Sequence, residues 1–334
     1  MISLYLLILV FLGVYSYSQI DLNLTLLQAP VFLRFQNLMI QLGYYNRLLS
    51  TQIFVGLLFL LSIFNFYFSK LTLSKKNIVF LIGGVVILGL VSYPAFSHDV
   101  FNYIFDARIF TFHHANPYVS TALMFSDDTW TRFMNWTHRT YPYGPIFLPL
   151  TIIVYILGFN KFLWTLFLFK FLAVGAYLGC CFVIYKLAKT RGLLLFALNP
   201  LVILEAVISS HLDIIMLFFG LLAYYLLLQN RKIVSLFALA VSIGIKYSTV
   251  LFLPFFLWKK LDSNRRFQFI LVAAYAGAFF QIASREVLPH YFIVPFGFSA
   301  LSTNRYIILG MLILSFILLF IRYYGFISTG SWTS

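Results

Sequence analysis

Charge is scarce in this chain: Asp, Glu, Lys and Arg make up only 10% of its 334 residues, and only nine residues are acidic. A water-soluble domain carries about a quarter of its residues charged, so a soluble globule is excluded. Cysteine is nearly missing. Cys180 and Cys181 are adjacent inside an apolar run, where they cannot supply an ordinary structural disulfide or a metal set. Internal repeats, low-complexity tracts and any polar stretch large enough for a separate soluble domain are lacking too. What remains is 62% hydrophobic, with 40 Phe and a mean hydropathy of +0.94. The Leu, Phe and Ile runs are too continuous for the alternation of an outer-membrane barrel. The expected fold is therefore all-α, a polytopic membrane protein of about ten transmembrane helices.

The net charge of +14 comes from basic residues lying in short clusters between apolar runs. That is the pattern of the positive-inside rule, so the expected partner is a lipid bilayer and not nucleic acid. Ile2 to Ser18 lacks the basic flank of a signal peptide and reads as a retained first span. Lys70/Lys75/Lys76, Lys186/Lys189/Arg191, Arg231/Lys232 and Lys259/Lys260/Arg265/Arg266 all belong on the cytoplasmic side. With those clusters fixed, both termini are expected inside, Gly144 to Gly158 becomes a re-entrant or interfacial segment, and Lys246 falls at a turn on the outer face. Of the acidic residues only Asp262 then lies in a cytoplasmic loop; the other eight gather outside, four of them in a long polar insert at 96–142.

The insert opens with Ser97-His98-Asp99, where Ser97 can cap a helix and Asp99 sits in its first turn. On that helix Asp99, Asn102 and Asp106 share one stripe. Two carboxylates so placed can divide the work of a general base and a group that orients substrate or metal; an amphipathic helix whose acids face water has the same spacing. Asn116-Pro117-Tyr118, Trp130 and Tyr141-Pro142-Tyr143-Gly144-Pro145 follow, rich in aromatic and hydrogen-bonding groups. These suit a sugar, and equally a Trp and Tyr belt at the interface. The histidine spacing in the insert does not match a zinc motif. Further on, Glu205, His211 and Asp213 flank a tight outer turn where carboxylates need a polar cavity or mutual pairing. Lys246 lies between two short apolar segments, where a charge either lines a polar cavity or snorkels. Arg285 and Arg305 flank the last outer loop.

Taken in order, Asp99, Asn102-Tyr103-Ile104-Phe105-Asp106-Ala107-Arg108, Asn116-Pro117-Tyr118, Tyr141-Pro142-Tyr143-Gly144-Pro145, Asn199-Pro200 with Glu205, His211-Leu212-Asp213 and Lys246-Tyr247 resemble the polyprenyl-phosphate-sugar-dependent glycosyltransferases of the GT-C superfamily. The similarity, over about residues 90 to 260, is nearest to bacterial and archaeal alpha-mannosyltransferases. It implies an inverting membrane hexosyltransferase that moves one sugar, mannose by the resemblance, from a polyprenyl-phosphate donor to a glycan or lipid acceptor on the extracytoplasmic side of the cell membrane. Asp99 matches the catalytic base and Asp106 the second acid of the family's Asp-Gly-Arg, with Ala107 in place of the glycine. Donor phosphate is assigned to Lys246, Arg108 and Arg305. Sugar and acceptor contacts are assigned to Asn102, Asn116, Tyr118, Trp130, Tyr141, Tyr143, His211 and Asp213. No cofactor is required by the resemblance, although the acids can hold Mg²⁺ or Mn²⁺. Residues 1–73 form an additional amino-terminal pair of spans and 74–334 the catalytic domain. A transporter or flippase of lipid-linked sugars is the alternative, since buried charges also mark translocation paths.

Overall fold

The computed structural model describes residues 1–24, 26–284 and 286–331; Arg285 lies outside the described residues. The protein is all-helical, 76% helix, with no strand among the described residues. The α-helices among the described residues are α1 (Ile2–Ser16), α2 (Pro30–Ile40), α3 (Arg47–Ser69), α4 (Lys75–Val91), α5 (Asp99–Thr111), α6 (Phe147–Leu157), α7 (Phe162–Ala197), α8 (Asp213–Leu228), α9 (Lys232–Ile245), α10 (Leu253–Leu257), α11 (Ser263–Ser284), α12 (Ile293–Ser299) and α13 (Arg305–Thr329). Short 3₁₀ and π-helical pieces join them, notably a π-helical segment at Val202–Ile208.

Among the described residues five helices are long and apolar enough to cross a membrane, or six if Val202–Ile208 and Asp213–Leu228, bent by 106°, count as one broken span. The expected ten are not reproduced. Apolar composition continues through Lys232–Ile245 and Tyr247–Leu257, but Lys246 takes an extended conformation and breaks the helix between them. Pieces of 14 and 11 residues rise only about 21 and 17 Å, short of a hydrocarbon core of about 30 Å. Both ends of α6 lie at one end of the bundle: its start bonds to the end of α9, and Tyr155 near its close meets the insert.

One apolar core runs through the bundle from Tyr5 to Ile327. Helix α1 runs parallel to α4, Gly13 meeting Leu88 and Gly84 meeting Leu6. Helix α3 opposes α13: Phe54 packs on Tyr323, and Arg47 donates to the Ile327 carbonyl at 3.3 Å. Large apolar side chains stay exposed around the outside, Phe11, Phe59, Val79, Phe171, Phe280 and Ile321 among them, which is the surface a bilayer covers.

Charge is sorted along the bundle axis. The links α3 to α4, α8 to α9 and α10 to α11 carry Lys70/Lys75/Lys76, Arg231/Lys232 and Lys259 to Arg266, all at one end. The opposite end holds Asp99, Asp213 and Lys246, where α5 begins, α8 begins and α9 ends. The expectation that both termini share a face is corrected by the packing. Helix α1 reaches the acidic end at Ser16, whose hydroxyl accepts from Tyr93 N–H at 2.9 Å, and α13 reaches the same end at Tyr323. Met1 and Thr329 therefore lie at opposite ends, because both helices run in one direction.

Candidate active site

Helix α5 is not an interfacial helix with a watery face. Residues Val100 to Ile109 are all buried, including Asn102 and Asp106 at 7% and 6% exposure. The helix begins one residue later than a Ser97 cap implies, at Asp99, whose N–H donates to the Ser97 hydroxyl at 3.2 Å. Burial explains why this helix needs a partner for every polar group it carries.

Asp99 meets the turn that precedes α8. Its Oδ2 lies 3.3 Å from His211 Nδ1, and Nε2 of the same ring lies 3.1 Å from Glu205 Oε2. Glu205, fully buried in the π-helical segment, accepts from the Tyr323 hydroxyl at 2.5 Å. Lys170, buried in α7, donates to the Ile208 carbonyl at 3.0 Å and holds the end of that segment. A π-helical turn is a common device for aiming a side chain at a site, and here it brings Glu205 under His211. Two residues on, Asp213 Oδ1 accepts from Lys246 Nζ at 2.8 Å, and the ammonium sits 4.7 Å over the Tyr291 ring.

The electrostatics follow from this packing. Burial raises the Asp99 carboxyl, but the His211 imidazole and the Lys246 charge outweigh it and hold Asp99 below the ordinary carboxylate range. Asp99 is thus ionised at neutral pH. Burial disfavours charge on His211 as well, yet Asp99 and Glu205 push it up to about 10. Asp106 has no such cation: burial, then the Asp99 charge, push it up to about 8, so it carries a proton at neutral pH.

The Tyr-Pro-Tyr-Gly-Pro segment closes one side. Gly144 N–H donates to the Ile245 carbonyl at 3.0 Å and Ile146 N–H to the Gly244 carbonyl at 2.9 Å, beside Lys246. A Cβ on Gly144 would stand 2.2 Å from the Gly244 oxygen, so only glycine permits this approach. Tyr143 thereby packs edge-on against Tyr103 and Tyr141. The Tyr141 hydroxyl and Asn102 Oδ1 are buried without a hydrogen-bond partner.

Other sequence-assigned residues lie elsewhere. Arg108 donates to Asp128 at 2.5 Å, to Tyr155 at 2.7 Å and to Asn160, between the Phe112 and Trp130 rings. It is committed to the insert, and Trp130 with it. Asn116 accepts from Tyr118 N–H at 3.0 Å and shapes a turn, with Tyr118 half exposed against Tyr141. Arg305 begins α13, 18 residues before Tyr323, which places it about 27 Å along the helix from the Glu205 contact. The structure does not bring Arg305 to the site. Sequence reasoning had not singled out His290 or Tyr323. His290 follows Pro289 in the last loop and stacks on His211 with centroids 4.0 Å apart; the break in apolar character there was its only signal.

A cavity of about 260 Å³ opens beside His98, lined by Gln19, Asp21, Tyr44, Arg47 and Asn135 among others. A larger one of about 600 Å³, lined by Met1, Leu6, Phe68 and Phe80, lies at the other end and touches none of these groups.

Residues 8–261 match the family described as alpha-(1->6)-mannopyranosyltransferase, N-terminal domain. Neither the curated proteins nor the solved structures provide a match. The matched stretch holds Asp99, Glu205, His211, Asp213 and Lys246, and takes in α1 from Ile8 onward with α2 and α3; His290 and Tyr323 lie beyond it. The chain belongs to this mannosyltransferase family and is a membrane glycosyltransferase.

Proposed function

We propose that this family member transfers mannose, with inversion, from a β-linked polyprenyl-phosphate donor to an acceptor hydroxyl on the extracytoplasmic face. The observation that carries the reading is an ionised carboxylate, Asp99, gathered with Lys246 at the bundle end opposite the basic loops. By the positive-inside rule those loops face the cytoplasm, which leaves Asp99 outside.

The acceptor oxygen attacks the anomeric carbon while the bond to the donor phosphate breaks on the far side. Asp99 takes the hydroxyl proton, and the departing phosphate keeps the bond's electron pair. Lys246 meets the negative charge that grows on that phosphate, which is the role a preorganised cation serves best in a site shielded from water. Asp106, protonated one helical repeat from Asp99, acts as a neutral donor toward a sugar hydroxyl. Tyr141, Tyr143 and Asn102 offer ring faces and an unpaired amide oxygen to the sugar. The cavity beside His98 offers the acceptor an approach from the side of the amino-terminal helices.

The test is incubation of purified protein with radiolabelled polyprenyl-phosphate mannose and an alpha-mannan acceptor in detergent, without a membrane gradient. A new α-1,6-linked mannoside is the expected product. Donor translocation in vesicles with no glycoside formed would establish the flippase alternative instead.

A further inference from the structure

We propose that Asp99, His211 and His290 form a binding site for one zinc-class divalent cation at the floor of the active site. A ligand atom from each, a carboxylate oxygen and two imidazole nitrogens, lies within 4.8 Å of the others. The three come from separate elements: the start of α5, the turn before α8 and the 3₁₀ turn Pro289–Phe292. Both imidazoles are buried, at 1% and 7% exposure, and lie nearly parallel with centroids 4.0 Å apart.

Three further observations point to an ion. First, both His211 nitrogens lie near carboxylates yet make no well-directed hydrogen bond, and Glu205 Oε2 is likewise unsatisfied. Second, the His211–Glu205–Tyr323 chain is the support a metal-bound histidine uses. Nε2, the ring nitrogen turned away from the ion, faces at 3.1 Å a carboxylate that is itself held by a further donor, the pairing that fixes the tautomer once an ion is bound. Third, the charges are out of balance for an anionic donor. With His211 neutral, as an imidazole that ligates a metal must be, Asp99, Glu205 and Asp213 face Lys246 as the nearby ammonium, and a phosphodiester adds one more negative charge. A dication next to Asp99 removes that repulsion.

Two imidazoles and one carboxylate suit zinc or a similar transition dication better than Mg²⁺, which favours oxygen ligands. Asp99 binds through Oδ2, the oxygen turned toward His211, leaving Oδ1 for the acceptor hydroxyl. The site deepens the transferase reading but does not depend on it, because ion binding is measured without substrate.

The experiment strips the purified full chain with chelator and titrates it with Zn²⁺ by calorimetry, and with Co²⁺ by visible absorption. Wild type is expected to take up one equivalent of Zn²⁺ and to show the intense bands of four-coordinate Co²⁺. His290→Ala weakens Zn²⁺ binding at least 100-fold, and Glu205→Gln, which touches only the supporting bond, by about 10- to 100-fold. His138→Ala, on the exposed part of the insert, leaves binding unchanged. No stoichiometric Zn²⁺ uptake by wild type overturns the proposal, as does wild-type affinity in a folded His290→Ala protein. Either failure leaves mannose transfer to be judged on its own assay.

Discussion

Helix α5 carries two ionic clusters, one at each end, and they differ in how completely their polar atoms are paired. At its C-terminal end Arg108 is enclosed by Asp128, Tyr155, Asn160 and two aromatic rings, while Asp128 also binds His113 at 2.9 Å and caps Trp130 N–H at 3.0 Å. At its N-terminal end Asp99 lies among Glu205, His211 and Asp213, with unsatisfied atoms on Glu205, His211, Asn102 and Tyr141. A saturated cluster locks the insert to the bundle. A cluster with spare hydrogen-bonding capacity, strongly shifted carboxyls and a nearby cation is where a polar ligand gains most by binding.

The largest expected effect separates these two ends. Asp99→Asn is expected to lower mannose transfer about 1,000-fold per folded molecule, since it removes the proton acceptor. Wild-type turnover in that variant would move the base elsewhere. Arg108→Met is expected to do the reverse: it strands a buried Asp128 and costs about 3 kcal/mol of stability, read as a lower unfolding midpoint, with turnover per folded molecule kept within a few-fold. Lys246→Met sharpens the comparison inside the open cluster. Donor affinity should fall about 10- to 30-fold while acceptor KM stays put, and an unchanged donor affinity would take Lys246 off the phosphate.

The smallest effect is a pH dependence. Asp106 rises from 3.8 to about 8 on folding, so between those values the folded protein holds a proton that the unfolded chain has lost. Stability therefore falls as pH climbs from about 4 through 8, and Asp106→Asn should flatten that slope. An identical slope in the variant would show that Asp106 titrates normally.

Much of the open cluster was legible because its residues carry the cost of being charged in apolar surroundings. Asp99, Asp213 and Lys246 stand out in a chain this poor in charge, and the basic loops located their common end. The helical stripe through Asp99, Asn102 and Asp106 was equally readable, but its burial was not, since spacing cannot tell a watery face from one covered by α6 and α7. Arg108 looked like a phosphate ligand because motif position says nothing of Asp128, twenty residues on. His290 stayed hidden because its partner His211 is distant in sequence, and stacking leaves no local pattern. Arg305 was misplaced because the stretch before it reads as one outer loop, whereas after His290 the buried α12 runs back through the bundle and brings Ala300 beside Gly192, so α13 starts at the opposite end.

The contrast is decided most directly by single-turnover transfer from radiolabelled polyprenyl-phosphate mannose, with Asp99→Asn and Arg108→Met compared at equal amounts of folded protein. The predicted result is transfer at least about 100-fold faster in the Arg108 variant. Equal rates, or a faster Asp99 variant, would contradict the assignment of the catalytic centre to the Asp99 end of α5.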